Sequence, residues 1–142
     1  MASIYKEVTI AASAEHVWAA IRDVGAVHTR FARDMVIDTR LDGNDRIVTF
    51  ANGEVVRERI VGIDDRRRRL AYAVVEWRTT HHNASFQVVP ESDARCRLVW
   101  ITDLLPDAIT ELVEGFVDQG CAAITRTLET SFRATPQAAA HR

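Results

Sequence analysis

Glu58 and His82 are the residues of this chain best placed to do chemistry away from water. Successive side chains of a strand point to opposite faces. In the segment 55–61, Arg57 and Arg59 take the solvent side, so Val56, Glu58 and Ile60 point inward. Burial favours the neutral form of such a carboxyl unless a cation or a donor partners it. Glu58 is then either a structural acid satisfied from a neighbouring strand, or a group that orients a ligand or moves a proton. In Thr79–Val89, His82, Ala84, Phe86 and Val88 share the apolar parity, while Asn83, Ser85 and Gln87 share the other. His82 is expected inside and His81 outside. An inward imidazole acts as a general base only when it reaches a reacting proton; otherwise it is part of a wall. Neighbouring histidines on one strand cannot ligate a single metal ion without a bulge, and zinc sites need three or four protein ligands. No metal and no cofactor is therefore expected. The outward parity of Ser85 argues against a Ser–His catalytic pair.

Parity also names the apolar neighbours of these two groups. In Arg95–Asp103, Trp100 falls with Cys96, Leu98 and Thr102, which aims its ring inward with an N–H in want of an acceptor. Tyr72 falls with Leu70 and Val74, and Met35 and Ile37 fall together in the alternating segment Met35–Leu41. Arg46–Ala51 is ambiguous in parity and is left unassigned. Such walls need a cover, and residues 107–133 supply one. Ile109, Leu112, Val113, Phe116, Val117, Cys121, Ile124, Leu128 and Phe132 recur at the spacing of a single buried helical stripe. Gly120 lies in that stripe without a side chain, and the gap is expected to leave room between helix and sheet. The expected ligand-binding set is thus Met35, Ile37, Glu58, Tyr72, His82, Phe86, Trp100, Phe116, Val117 and Gly120.

Composition narrows the function classes. The chain has 142 residues, 47% hydrophobic and 27% charged, with a formal net charge of −2, which fits one domain with a sizeable core. So small a charge creates no field toward nucleic acid or anionic membranes. No apolar run approaches the roughly 20 residues of a membrane span. Met1–Val8 lacks the basic-then-apolar pattern of a signal peptide, and Cys96 and Cys121 match no metal-ligand spacing; a cytoplasmic protein with reduced thiols is expected. The run Arg66–Arg69 follows Asp64 and Asp65 in a turn and reads as solvated charge, since the rest of the chain lacks a basic face with aromatic platforms. There is no glycine-rich phosphate loop and no G-x-S-x-G elbow.

The positioning elements follow from local signals. Ile4–Ile10 is a strand. Ser13 caps a helix from Ala14, with Glu15 in its first turn, Val17, Trp18, Ala20 and Ile21 on its buried side, and Gly25 as a stop. Ala26–Arg33 holds at most another helical turn. About six strands follow, joined by turns at Asp42–Asp45, Asn52-Gly53, Asp64–Arg66 and Pro90–Asp93, and Pro106 opens the final helix. Antiparallel hairpins with segregated helices make this an α+β chain. Residues 1–133 form one domain, and the small, polar tail Ala134–Arg142 is expected to be disordered.

Four stretches carry a family likeness: Ser13-Ala14-Glu15-His16-Val17-Trp18 after the opening strand; Val56-Arg57-Glu58-Arg59-Ile60 with Asp64-Asp65 and Leu70-Ala71-Tyr72; Val88-Val89-Pro90 leading to Leu98-Val99-Trp100; and the terminal helix ending Leu128-Glu129. With them the chain resembles the START/Bet v 1-like (SRPBCC) superfamily, in particular its bacterial polyketide cyclase/dehydrase-like branch. The resemblance implies a helix-grip fold, a bent antiparallel sheet of about seven strands around the C-terminal helix, enclosing an apolar cavity. It implies binding of a small hydrophobic molecule (a lipid, polyketide or aromatic metabolite), with a cyclase or dehydratase in the same cavity as the alternative. A partner-binding domain whose cavity is filled by its own side chains is the third reading. A homodimer is left open. Where the family often carries Trp after its first helix, this chain has His28, expected at the cavity mouth.

Overall fold

The computed structural model describes residues 2–136. One seven-stranded antiparallel sheet runs in the order β1-β7-β6-β5-β4-β3-β2. Its strands are β1 (Ala2–Ile10), β2 (Val36–Asp42), β3 (Asp45–Phe50), β4 (Val55–Asp64), β5 (Arg69–Glu76), β6 (His81–Ser92) and β7 (Arg95–Leu105). Helix α1 (Ala14–Arg22) and a wide helical turn at Val27–Phe31 separate β1 from β2. A short 3₁₀ turn, Asp107–Ile109, leads into α2 (Thr110–Ala134), which lies in the hollow of the sheet. Among the described residues no helix is long and apolar enough to cross a membrane.

The sheet bends because its strands carry bulges. The register shifts at Val36/Asp38, at Arg57/Glu58, at Ile60/Gly62 and at Pro90/Ser92, and each bulge adds local twist. Helix α1 is set by Ser13, whose hydroxyl accepts from the His16 N–H at 3.1 Å. The β4–β5 turn pins it: Asp65 accepts from the Trp18 indole at 2.9 Å and from Arg22 at 2.7 Å, and Arg68 pairs with Glu15 at 2.8 Å. The arginine run is thus tied into a turn.

Helix α2 buries Val113, Val117, Gly120, Ala123, Ile124, Thr127 and Leu128 against the sheet. The stripe begins at Val113, for Leu112 is 40% exposed. The helix extends through Ala134, one residue into the expected tail; residues 137–142 of that tail lie outside the described residues.

Candidate functional site

The hairpin β3–β4 places the charged pair of the interior. Its connection is three residues long, with the Phe50 N–H donating to the Glu54 carbonyl across Ala51-Asn52-Gly53, and Gly53 takes a φ of +92° that suits the glycine of such a loop. This register sets Arg46 opposite Glu58. Arg46 is 5% exposed and Glu58 9%, and the Arg46 Nε donates to Glu58 Oε1 at 2.8 Å. The guanidinium carbon also sits 5.5 Å from the centre of the Tyr72 ring. On the other face of the same hairpin, Asp45 is held by Arg57 at 2.9 Å and Arg59 at 2.8 Å. Glu58 is therefore partnered from the neighbouring strand, as one of its readings required.

Between the sheet and α2 lies a cavity of about 90 Å³. β4 contributes Val56 and Glu58; β5 contributes Tyr72, Val74 and the following Trp77; β6 and β7 contribute His82, Trp100 and Thr102. Helix α2 closes it with Val113, Phe116 and Val117, while Met35, Phe50, Asn52 and Glu54 form the remaining side. The half-buried Trp77 and Phe116 meet at its mouth, ring centres 5.8 Å apart. Glu54 fixes Trp77 there by accepting its indole N–H at 2.7 Å, and is itself held by Arg78 at 2.7 Å. Those donors keep the Glu54 carboxyl below its ordinary pKa. A second, smaller space of about 60 Å³ is lined by Val27, Phe31, Phe86, Gly120 and Ile124 among others. Both spaces share Met35, Phe50, Glu58, Tyr72 and Trp100.

Three wall groups carry chemistry besides the ion pair. Burial, aided by the neighbouring His81, lowers the His82 pKa to about 4, so its ring is neutral at pH 7. Its Nδ1 is buried without a hydrogen-bond partner. Burial first, then the charge of Glu58, raises the pKa of Tyr72 and keeps its phenol protonated. Trp100 bears on Tyr72 strongly enough to oppose that rise, yet its indole N–H completes no hydrogen bond. The wall thus offers a neutral imidazole, a phenol and an indole N–H beside a charge-balanced ion pair.

Nine of the ten sequence-derived residues border these two spaces, and Ile37 does not. Ile37 is 57% exposed. The bulge at Val36/Asp38 on this edge strand turns Val36 inward and Ile37 to solvent, while Met35, which precedes the bulge, reaches the cavity. Gly120 corrects a second expectation. A Cβ there would fall 2.8 Å from Trp100 Cζ3, so the gap in the helix is occupied by an indole and is not open. His28 leaves the mouth altogether and pairs with the Thr39 hydroxyl at 3.0 Å. Sequence reasoning missed Arg46, Glu54 and Trp77. A three-residue loop at Ala51–Gly53 would have revealed Arg46, whereas the two-residue turn read from Asn52-Gly53 sets it against Arg59.

A bent sheet gripping one long helix, with an apolar cavity between them, defines the Bet v 1-like helix-grip class. Among solved structures the chain is similar to a protein from Thermobifida fusca at 28% identity and a TM-score of 0.73, covering 93% of each chain. It is similar to norcoclaurine synthase from Thalictrum flavum in complex with dopamine and hydroxybenzaldehyde, at 20% identity and a TM-score of 0.74, over 96% of this chain and 88% of that one. It also matches the di-domain ARO/CYC protein BexL, at 13% identity and a TM-score of 0.79, over 91% of this chain and 47% of that one. The chain belongs to the family described as polyketide cyclase/dehydrase and lipid transport, whose model matches residues 1–134. No protein of curated function matches the sequence.

Proposed function

We propose that the protein binds a small, mainly apolar molecule in the cavity between sheet and α2, with His82 and the Glu58 carboxylate orienting its polar end. The observation that carries this reading is the buried, unpartnered Nδ1 of His82 in a wall that is mainly aromatic and aliphatic. An orphaned buried polar atom costs stability, and a ligand hydroxyl or carbonyl would satisfy it. Apolar pockets with a few convergent polar groups are the usual form of small-molecule sites. The family description, lipid transport included, supports the same reading. Native mass spectrometry of freshly purified protein, followed by denaturing extraction, tests it. A retained small apolar molecule is the expected result. A protein that purifies empty and takes up none of a panel of small aromatic and aliphatic alcohols overturns it.

A cyclase or dehydratase is the second reading, favoured by one observation. Tyr72 and His82 line one cavity and supply a phenol donor and an imidazole acceptor that can hold and polarise a carbonyl between them, positioning a chain for ring closure. Turnover of a cyclisable polyketide-like chain, lost in Tyr72→Phe with binding retained, is its signature. Binding without turnover by the unaltered protein dismisses it.

A further inference from the structure

Trp100 stands where the helix is bare. A Cβ on Gly120 would lie 2.8 Å from Cζ3 and 2.9 Å from Cη2 of that indole, so the six-membered ring occupies the place of a helix side chain. On its other side the ring leans on Phe86, centres 4.7 Å apart. Trp100 borders both internal spaces together with Met35, Phe50, Glu58 and Tyr72, and of these five it presses most closely on the bare helix at Gly120, which makes it the divider of the two. The two parts, about 90 and about 60 Å³, are each smaller than the apolar cavity of about 150 Å³ that takes one benzene. Together they come to about that size. The indole N–H bears on the Tyr72 hydroxyl without completing a hydrogen bond, so its polar contact is too weak to hold the ring against a small shift that joins the two parts.

The charge of the wall narrows the ligand further. Glu58 is matched by Arg46, and Glu54 at the mouth is matched by Arg78. A ligand carboxylate would lose its hydration and meet no uncommitted cation in the wall. A neutral hydroxyl or carbonyl meets the open Nδ1 of His82.

We propose that Trp100, seated on Gly120, is the specificity-determining wall of the cavity, limiting the buried part of a ligand to one uncharged ring with a neutral polar end. This rests on the ligand-binding reading above.

The test is amide-shift NMR titration of the full chain with benzyl alcohol, 1-naphthalenemethanol and benzoate. Wild type is expected to bind benzyl alcohol about tenfold or more tightly than 1-naphthalenemethanol, through pocket size, and more tightly than benzoate, through the lost hydration of its carboxylate. Trp100→Phe and Trp100→Leu are expected to shift the two-ring to one-ring affinity ratio toward 1-naphthalenemethanol, by about tenfold for Leu. Thermal unfolding confirms that each variant is folded, and Trp100→Phe serves alone if Trp100→Leu is not. Wild type binding both alcohols equally, or an unchanged ratio in the folded variants, overturns the partition. Benzoate binding as tightly as benzyl alcohol overturns the charge argument. If none of the three compounds binds wild type or variant, the ligand-binding reading fails and the partition falls with it, an outcome distinct from equal binding.

Discussion

The two ends of the sheet–helix interface are built to different standards. At the α1 end, Ile10, Val17, Leu70, Leu98 and Leu128 are all within 1% of complete burial, and Phe31 meets Phe86 edge-on at 5.1 Å. At the β5–β6 end, Trp77, Phe116, Val74 and Phe50 are only partly buried around a cavity. Among the described residues, the buried side-chain polar atoms left without a partner, Thr79 Oγ1, His82 Nδ1, Trp100 Nε1 and Thr110 Oγ1, belong to the second end or its border. Interiors pack to crystal density with polar groups satisfied wherever stability alone is at stake. The smaller space reaches Phe31 and Phe86 at the first end, but the larger space and the unpartnered polar atoms gather at the second, so the first region is the better suited to holding the fold and the second to the proposed binding.

The Arg46–Glu58 pair sits on the border, and breaking it is the largest expected effect. Arg46→Leu leaves a carboxylate buried without its cation, which typically costs about 3–5 kcal/mol, whereas Arg46→Leu with Glu58→Leu should recover most of that loss. Urea unfolding of the three proteins measures it. A single variant that loses less than about 1 kcal/mol would show that Glu58 is already solvated through the cavity, and the border would move inward.

Truncations at the two ends sharpen the contrast. Leu128→Ala empties a fully buried site and should cost about 2–5 kcal/mol. Phe116→Ala, at the half-buried mouth, should cost less stability while weakening ligand uptake. Equal losses by thermal or chemical unfolding would mean that both ends carry the fold alike.

Each end also holds one histidine whose burial lowers its pKa. His16 sits near Phe132 and Ser131, its pKa lowered by burial and then by Arg30; His82 falls to about 4. Above pH of about 6.5 the His82 ring is neutral in both folded and unfolded chains. Below it the unfolded chain takes up a proton that the folded chain refuses, so stability falls as the pH drops from about 6.5 toward 4, by up to about 3 kcal/mol. His82→Gln should flatten that limb in unfolding curves recorded from pH 7 to 4.5. If His16→Gln flattens it more, the open end is better solvated than its geometry indicates.

The α1 end was the more legible in sequence, for a physical reason. Ser13, Val17, Trp18 and the helical stripe from Val113 to Leu128 obey period and capping rules that depend on near neighbours alone. Glu58, His82 and Trp100 also followed from parity, which holds as long as a strand stays regular. Ile37 failed because the bulge at Val36/Asp38 resets parity, and no local signal marks that bulge. Arg46 was hidden because its partner depends on one residue of loop length at Ala51–Gly53. Trp77 lies just beyond β5, where alternation no longer applies, and its place at the mouth is fixed by Glu54 from another hairpin. What could not be read was the set of contacts decided by register between strands.

The smallest effect bears most directly on the border. Gly120 costs the helix about 1 kcal/mol relative to Ala, so Gly120→Ala would stabilise α2 if the space above it were free. The Trp100 ring takes that space, 2.8 Å from where the methyl would stand. Forcing a methyl into a packed site costs about 1–3 kcal/mol, which offsets or outweighs the helical gain, and Gly120→Ala is expected to lose up to about 2 kcal/mol net. In a Trp100→Leu background the clash is gone, and the same substitution should be neutral or stabilising. The double-mutant cycle should therefore show a coupling of about 1–3 kcal/mol between the two positions. Additive effects, within about 0.5 kcal/mol, would mean that the indole yields freely and that Trp100 divides the interior only loosely. A strong coupling would place the line between the folding end and the proposed binding end at this one contact, where a bare turn of helix receives an aromatic ring from the sheet.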